Sequence, residues 1–210
     1  MSDLNLPSLE AAARDELDSM FSARELAIEN GRKVIRQSSR AIRAIHRGEI
    51  DQAVALMDQA GAFLSESVQA VADHPGINAG IVEDAAKEYA EAGLFLAISQ
   101  GDDLPSLSEM GMPAIPYLHG LGEVVGELRR RLLDHLRRED FSEAERLLEI
   151  MDEVVDLLAA LDYPDGMTGG LRRKTDVARS IAERSRSDLT SAFITERLRE
   201  DVGAVLDQLT

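Results

Sequence analysis

Four glutamates stand out by their spacing. Glu88 and Glu91 lie three residues apart in Lys87-Glu88-Tyr89-Ala90-Glu91-Ala92-Gly93-Leu94-Phe95. Glu123 and Glu127 lie four apart in Tyr117-Leu118-His119-Gly120-Leu121-Gly122-Glu123-Val124-Val125-Gly126-Glu127-Leu128. On helices each pair shares one face, the first beside an apolar stripe of Ala85, Tyr89, Ala92 and Leu96. Two adjacent helices could then bring three or four carboxylates together, and a hard divalent cation such as Mg²⁺ takes such oxygen ligands. The alternative is a solvated acidic face. The chain carries 39 acidic residues, and on a helical wheel Glu123 falls opposite the stripe Leu121, Val125, Leu128 and Leu132. Spacing alone leaves both open.

The second pattern is basic. Between Arg24 and Arg47 there are seven basic residues and two acidic ones, inside a chain whose formal net charge is −16. Arg32, Arg36, Arg40, Arg43 and Arg47 follow spacings of four, four, three and four, so on a helix they form one row with side chains about 6 Å apart. Such a row could track phosphates. Val34, Ser38, Ala41 and Ile45 form a separate stripe on which the same helix can pack. The alternative is a solvated face that pairs with acids of other helices or subunits. Arg172-Arg173-Lys174, followed by Arg179, Arg184 and Arg186, makes a second basic cluster, and Arg129-Arg130-Arg131 a third. Neither is interleaved with aromatic residues as a base-stacking platform requires, so no base-specific readout is visible.

Other chemistries are excluded or weakly supported. There is no cysteine, which removes disulfides, thiolate metal sites and a cysteine nucleophile. None of the four histidines stands in the Glu-x-x-His spacing of a di-iron bundle. His119, four residues before Glu123, could be a ligand, a proton carrier or a packed side chain. Gly120, Gly122 and Gly126 lie within a helical pattern rather than a phosphate-binding loop, and no Gly-x-Ser-x-Gly elbow occurs.

The elements that must position these residues are helical. Apolar residues recur at three- and four-residue spacing, no stretch alternates like a strand, and breaks fall at Gly48 to Asp51, His74-Pro75-Gly76, Gly101 to Pro105, Gly111-Met112-Pro113 and Tyr163 to Gly166. The pattern predicts a first helix capped at Pro7-Ser8 and ending at Arg47, with a bend near Ser19 to Ser22. A second runs from Asp51 to Ala72, and a third, capped by Asn78, to Ser99. A fourth has Pro116 in its first turn and ends near Arg138, and a fifth runs from Ser142 to Leu161. Gly169 to Gln208 forms one helix or two with a break near Ser185 to Asp188. The expectation is an all-α single domain over 1–210, a bundle of six or seven long helices.

Composition bounds the setting. The 210 residues are 44% hydrophobic, enough for a normal core, and no apolar run approaches the ~20 residues of a membrane helix. The start shows no basic region followed by an apolar stretch, so a cytoplasmic protein without a membrane partner is expected. The acidic excess opposes indiscriminate binding of polyanions, so such binding must be local. Arginines number 20 and lysines three, a balance that also fits a high-salt cytoplasm, where surface fields are screened within about 3 Å at 1 M salt.

Taken in order, these segments resemble the translin family, and most closely its catalytic branch, translin-associated factor X. The resemblance covers most of the chain. It rests on the arginine-rich first helix ending in Ile45-His46-Arg47-Gly48, on the Lys87 to Phe95 and Tyr117 to Leu128 segments, and on Leu171-Arg172-Arg173-Lys174. It implies a translin-like seven-helix fold that assembles as a homo-oligomer into a closed, roughly octameric shell. Single-stranded RNA or DNA would lie on an interior basic surface formed by Arg32, Arg36, Arg40, Arg43, Arg47, Arg172, Arg173 and Lys174. In the catalytic branch, acids at the positions of Glu88, Glu91 and Glu123 form a Mg²⁺-dependent endoribonuclease site, for which Mn²⁺ could substitute. The translin branch lacks these three, whereas an acid matching Glu127 occurs in both. Glu123 stands where the catalytic branch usually has Asp, and one methylene moves a carboxylate by about 1 Å, a displacement that can matter to rate. By the resemblance, in-line attack would leave a 5′-phosphate and a 3′-hydroxyl. Two rivals remain: a non-enzymatic shell that binds single strands, and an all-α scaffold whose arginine row joins subunits.

Overall fold

The computed structural model describes residues 5–77 and 80–207. Among the described residues there are seven helices and no strand: α1 (Leu6–Arg47), α2 (Ile50–Ala72), α3 (Gly80–Gln100), α4 (Ala114–Leu136), α5 (Phe141–Ala160), α6 (Asp165–Thr168) and α7 (Leu171–Asp207). No helix among them is long and apolar enough to cross a membrane. The chain divides into two compact units, Met1–Tyr117 and Leu118–Thr210, with the division inside α4.

In the first unit α1 packs on α2 and α3. The buried face of α1 is centred on Ala27, Gly31, Val34, Ser38, Ala41 and Ile45, at alternating spacings of four and three residues, flanked by Asn30, Ile42 and Ala44. α2 answers with Ala53, Leu56, Met57, Ala60 and Leu64, and α3 with Val82, Ala85, Ala86, Ala90, Leu94 and Phe95. The stripe expected on α3 is partly displaced: Ala85 and Ala92 are buried, while Tyr89 and Leu96 are only half-buried. Small residues set the close approach. A Cβ on Gly61 would stand 2.9 Å from the Tyr89 hydroxyl oxygen, so glycine leaves the space this ring occupies. α1 stops at Gly48, whose φ of 77° is the left-handed conformation glycine adopts without a Cβ clash; its N–H donates to the carbonyls of Ala44 and Ile45.

Several expected boundaries move. α1 begins at Leu6, with Pro7 in its first turn and Ser8 already inside, because proline has no N–H to lose there. The region of the bend expected near Ser19 to Ser22 does not interrupt α1: the Ser22 hydroxyl donates to the Asp18 carbonyl at 2.9 Å within a continuous helix. The Asn78 cap expected for α3 lies outside the described residues.

In the second unit α5 packs on α7. Leu147, Met151 and Leu158 of α5 and Leu171, Ala178, Ala182 and Leu189 of α7 are buried, as are Leu121, Val124, Val125, Leu128 and Leu132 of α4. Polar links fix the register of α4 on α7. The Arg129 guanidinium donates to the Ser185 hydroxyl at 3.0 Å and to the Asp188 carboxylate at 2.7 Å. Of the two forms expected here, one helix or two with a break near Ser185 to Asp188, the single helix is found: α7 runs for 37 residues, and the Ser185 hydroxyl also donates to the Ile181 carbonyl within it. The single turn α6 begins within the Tyr163 to Gly166 break and runs to Thr168, too short to show a helical period.

α5 starts on Asp140, whose carboxylate accepts from the Glu143 N–H at 3.3 Å and from His135 Nδ1 at 2.8 Å. The His135 hydrogen bond, then the Glu143 N–H, hold the Asp140 carboxyl below its ordinary range; Arg146 does the same for Glu143. Both groups are depressed in the folded chain, so their stabilisation is full above the ordinary carboxylate range and is lost as pH falls through the lowered values. We expect Asp140→Asn to flatten the acid limb of a melting temperature against pH profile below about pH 4. An unchanged limb would show that this cap carries none of the acid sensitivity.

Candidate functional site

α3 carries Glu88 and Glu91 one turn apart beside Lys87. The Lys87 ammonium lies 3.6 Å from Glu88 Oε1, and both side chains are about three-quarters buried, at 22% and 28% exposure. α4 carries Glu123, whose side chain is 23% exposed and accepts a hydrogen bond from Lys174 Nζ at the start of α7. Glu88 and Glu123 are thus not acids of a solvated face. Glu88, Glu91 and Glu123 form a group of carboxylates in which one oxygen from each lies within 4.8 Å of the others. Three carboxylates at that separation repel one another unless cations intervene, and all-oxygen donors suit Mg²⁺ or Mn²⁺. The donor set therefore fits a divalent cation. Glu127, one turn further along α4, is half-buried and lies outside this group.

His119 is accounted for otherwise. Its Nε2 lies 2.8 Å from the Thr168 carbonyl oxygen, which can only accept, so Nε2 carries a proton and ties α4 to the α6 turn.

The first basic row emerges as its spacing predicts. Arg32, Arg36, Arg40, Arg43 and Arg47 are all solvent-accessible, while Val34, Ser38, Ala41 and Ile45 between them are buried. Arg40, Arg43 and Arg47, with Gln52 and Leu56 of α2, line a hollow of about 260 Å³. Local contacts hold two of them in place: Arg40 Nη1 donates to Gln37 Oε1 at 3.1 Å, and Arg47 Nη2 to Glu49 Oε2 at 2.5 Å and Gln52 Oε1 at 3.1 Å. Arg47 holds the Glu49 carboxyl below its ordinary range.

The other two basic clusters separate into different roles. At the start of α7, Arg172 and Arg173 are exposed, whereas Lys174 is half-buried and turned onto Glu123. Sequence spacing gave no sign of that pairing, since the partners are 51 residues apart. Of Arg129-Arg130-Arg131, Arg129 is committed to Ser185 and Asp188. Burial pushes the Arg131 guanidinium below its ordinary value, and of the three only Arg130 is exposed.

No family model matches the chain. An uncharacterised protein of Methanocaldococcus jannaschii is 28% identical over 204 residues, covering 92% of this chain and 90% of that protein. The apo form of a C3PO, NeC3PO, shares the fold at a TM-score of 0.79, with 16% identity over 91% of this chain and 98% of that one. The Archaeoglobus C3PO solved in complex with duplex RNA superposes at a TM-score of 0.80. It is 32% identical over 88% of this chain and 96% of its own, and C3PO proteins are of translin type. By that identity over nearly the whole of both chains, together with the shared fold, this chain belongs to the translin family.

Proposed function

We propose that this chain, acting as one translin-like domain over 1–210, is a cytoplasmic, metal-dependent endoribonuclease that cleaves single-stranded RNA inside a homo-oligomeric, octameric shell. The observation that carries the reading is the meeting of Glu88, Glu91 and Glu123 in one carboxylate group, in a chain 32% identical to a C3PO solved with duplex RNA. Those three hold a Mg²⁺ or Mn²⁺ ion, with Glu127 beside them. A divalent cation there supplies a Lewis acid, which makes water a nucleophile at neutral pH and polarises a phosphodiester. Arg32, Arg36, Arg40, Arg43 and Arg47, with Arg172 and Arg173, hold the RNA backbone without reading bases, so cleavage is only weakly sequence-dependent. Assembly is supported by Ile194, Leu198, Val202 and Val205 of α7, an exposed apolar row at spacings of four, four and three.

The test is cleavage of an end-labelled single strand, and of a duplex of the same sequence, by the purified full chain with Mg²⁺, Mn²⁺ or a chelator. Metal-dependent cutting of the single strand supports the nuclease; binding without cutting under every condition overturns it. The second reading is a binding shell without catalysis. It is favoured by one observation: Lys174 already supplies a cation to Glu123.

The arginine row makes its own prediction. Changing Arg36, Arg40 and Arg43 together to Ala removes three phosphate contacts. The slope of log affinity against log salt for single-stranded RNA then falls in magnitude by about 2, at roughly 0.7 per contact. Fluorescence anisotropy across a salt series measures it, and an unchanged slope would move RNA off this face.

A further inference from the structure

The chain uses arginine almost everywhere a cation is needed, with 20 arginines against three lysines. Two of those three lysines stand at the carboxylate group: Lys87 at Glu88, and Lys174 at Glu123. Only Lys33, paired with Glu29 at 2.8 Å and over the Phe63 ring, is used elsewhere. The residue choice has a physical meaning. Arginine offers a rigid fork that locks a carboxylate in two parallel hydrogen bonds, whereas lysine offers a single mobile point charge on a flexible stem. A permanent structural pair favours the fork, as Arg146 on Glu143 shows with bonds of 2.8 and 2.7 Å to the two carboxylate oxygens. A pair that must open favours the ammonium.

Building on the metal-site reading above, we propose that Lys174 is a displaceable internal counter-ion. Its ammonium neutralises Glu123 when no divalent cation is bound, leaves that carboxylate when one binds, and so sets the affinity of the site for metal. The surroundings allow the exchange. The Lys174 stem runs past Gly122, where a Cβ would stand 3.7 Å from Lys174 Cβ, and the side chain is 34% exposed, so its head has water to move into. Lys174 therefore acts on the reaction by positioning and charge, and its assignment as a phosphate contact applies only once it has left Glu123.

Two measurements test this, both on the full chain. In the wild type, the three lysines are acylated with an amine-directed reagent, with Mn²⁺ or with a chelator, and the modified peptides are quantified by mass spectrometry. Lys33 is the internal standard. Mn²⁺ should raise Lys174 modification several-fold relative to Lys33; an unchanged ratio under conditions where Mn²⁺ binds overturns the proposal, and this arm needs no variant to fold. The second measurement is Mn²⁺ affinity of wild type, Lys174→Gln and Lys174→Arg by calorimetry at fixed ionic strength. Lys174→Gln should bind Mn²⁺ about tenfold tighter, the order expected when a unit positive charge is removed a few ångströms from a cation. Lys174→Arg should bind no tighter than wild type. Affinity of Lys174→Gln equal to or weaker than wild type refutes the counter-ion role while leaving the metal site standing. Absence of Mn²⁺ binding in wild type and Lys174→Gln alike overturns the metal site, and this proposal with it.

Discussion

Glu123→Gln should lose at least about 100-fold in the rate of metal-dependent RNA cleavage, while its affinity for single-stranded RNA stays within about threefold of wild type. The substitution keeps the size of the side chain and its ability to accept from Lys174, but it removes one of three negative charges from the carboxylate group. Each factor of ten in rate corresponds to about 1.4 kcal/mol of barrier, and a metal contributes several kcal/mol of transition-state charge stabilisation. Weakening the hold on that metal therefore costs two orders of magnitude or more. RNA affinity is carried by the arginines, which the substitution does not touch. Single-turnover cleavage at saturating enzyme, beside a binding isotherm in chelator, separates the two quantities. Cleavage within tenfold of wild type at saturating Mg²⁺ would remove Glu123 from the metal site; parallel loss of cleavage and binding would place it in the RNA interface instead.

The largest effect on stability is expected at Phe95. This ring is wholly buried on α3, and its centroid lies 4.9 Å from that of the His46 ring on α1 in a tilted arrangement. Phe→Ala at such a site costs about 3–5 kcal/mol through forfeited transfer energy and the cavity left behind, and the attraction between the two rings disappears as well. That is a large part of the roughly 5–15 kcal/mol by which a domain is stable. Phe95→Ala should therefore lower the melting temperature by about 10 °C, given about 2–4 °C per kcal/mol for a chain of this size. Phe95 also sits one turn beyond Glu91, so residual folded protein should cleave more slowly as that helix loses its anchor. A denaturant midpoint shifted by the equivalent of less than about 1 kcal/mol would show that the ring is not a core element.

Much of this was legible in the sequence because helices announce themselves by period. The Val34, Ser38, Ala41 and Ile45 stripe and the arginine row beside it separate on a wheel, and the structure buries the one and leaves the other open to solvent. The carboxylate spacings were equally plain, but they left a metal site and a solvated face undecided. Burial of Glu88 and Glu123 removes the second reading for those residues, and burial comes from tertiary packing that no local pattern carries. What the local pattern left undecided shares that cause. The stretch from Ser185 to Asp188 left one helix or two open because polar residues in a helix favour other conformations on their own. Arg129, 56 residues away from Ser185, supplies a partner from α4, and the Ser185 hydroxyl donates to the Ile181 carbonyl of its own helix. Lys174 read as one of three adjacent basic residues for the same reason. A single turn such as α6 lies below the length at which periodicity can be seen.

One property of α1 bears on how the chain responds to heat. Among the described residues its buried positions begin only at Ala27, and Ser19 lies 3.3 Å from His74, with Met20 beside Gly76. Residues 6–18 are exposed throughout. They extend a helix whose nucleus already exists, so no initiation penalty applies, and each added residue is governed by a propagation constant close to one. Ala11, Ala12 and Ala13, with the Glu10 to Arg14 pair at 2.9 Å, keep that constant on the favourable side at low temperature. In the single chain this segment must therefore shorten residue by residue on warming, and far-ultraviolet ellipticity will drift well before the packed helices melt together.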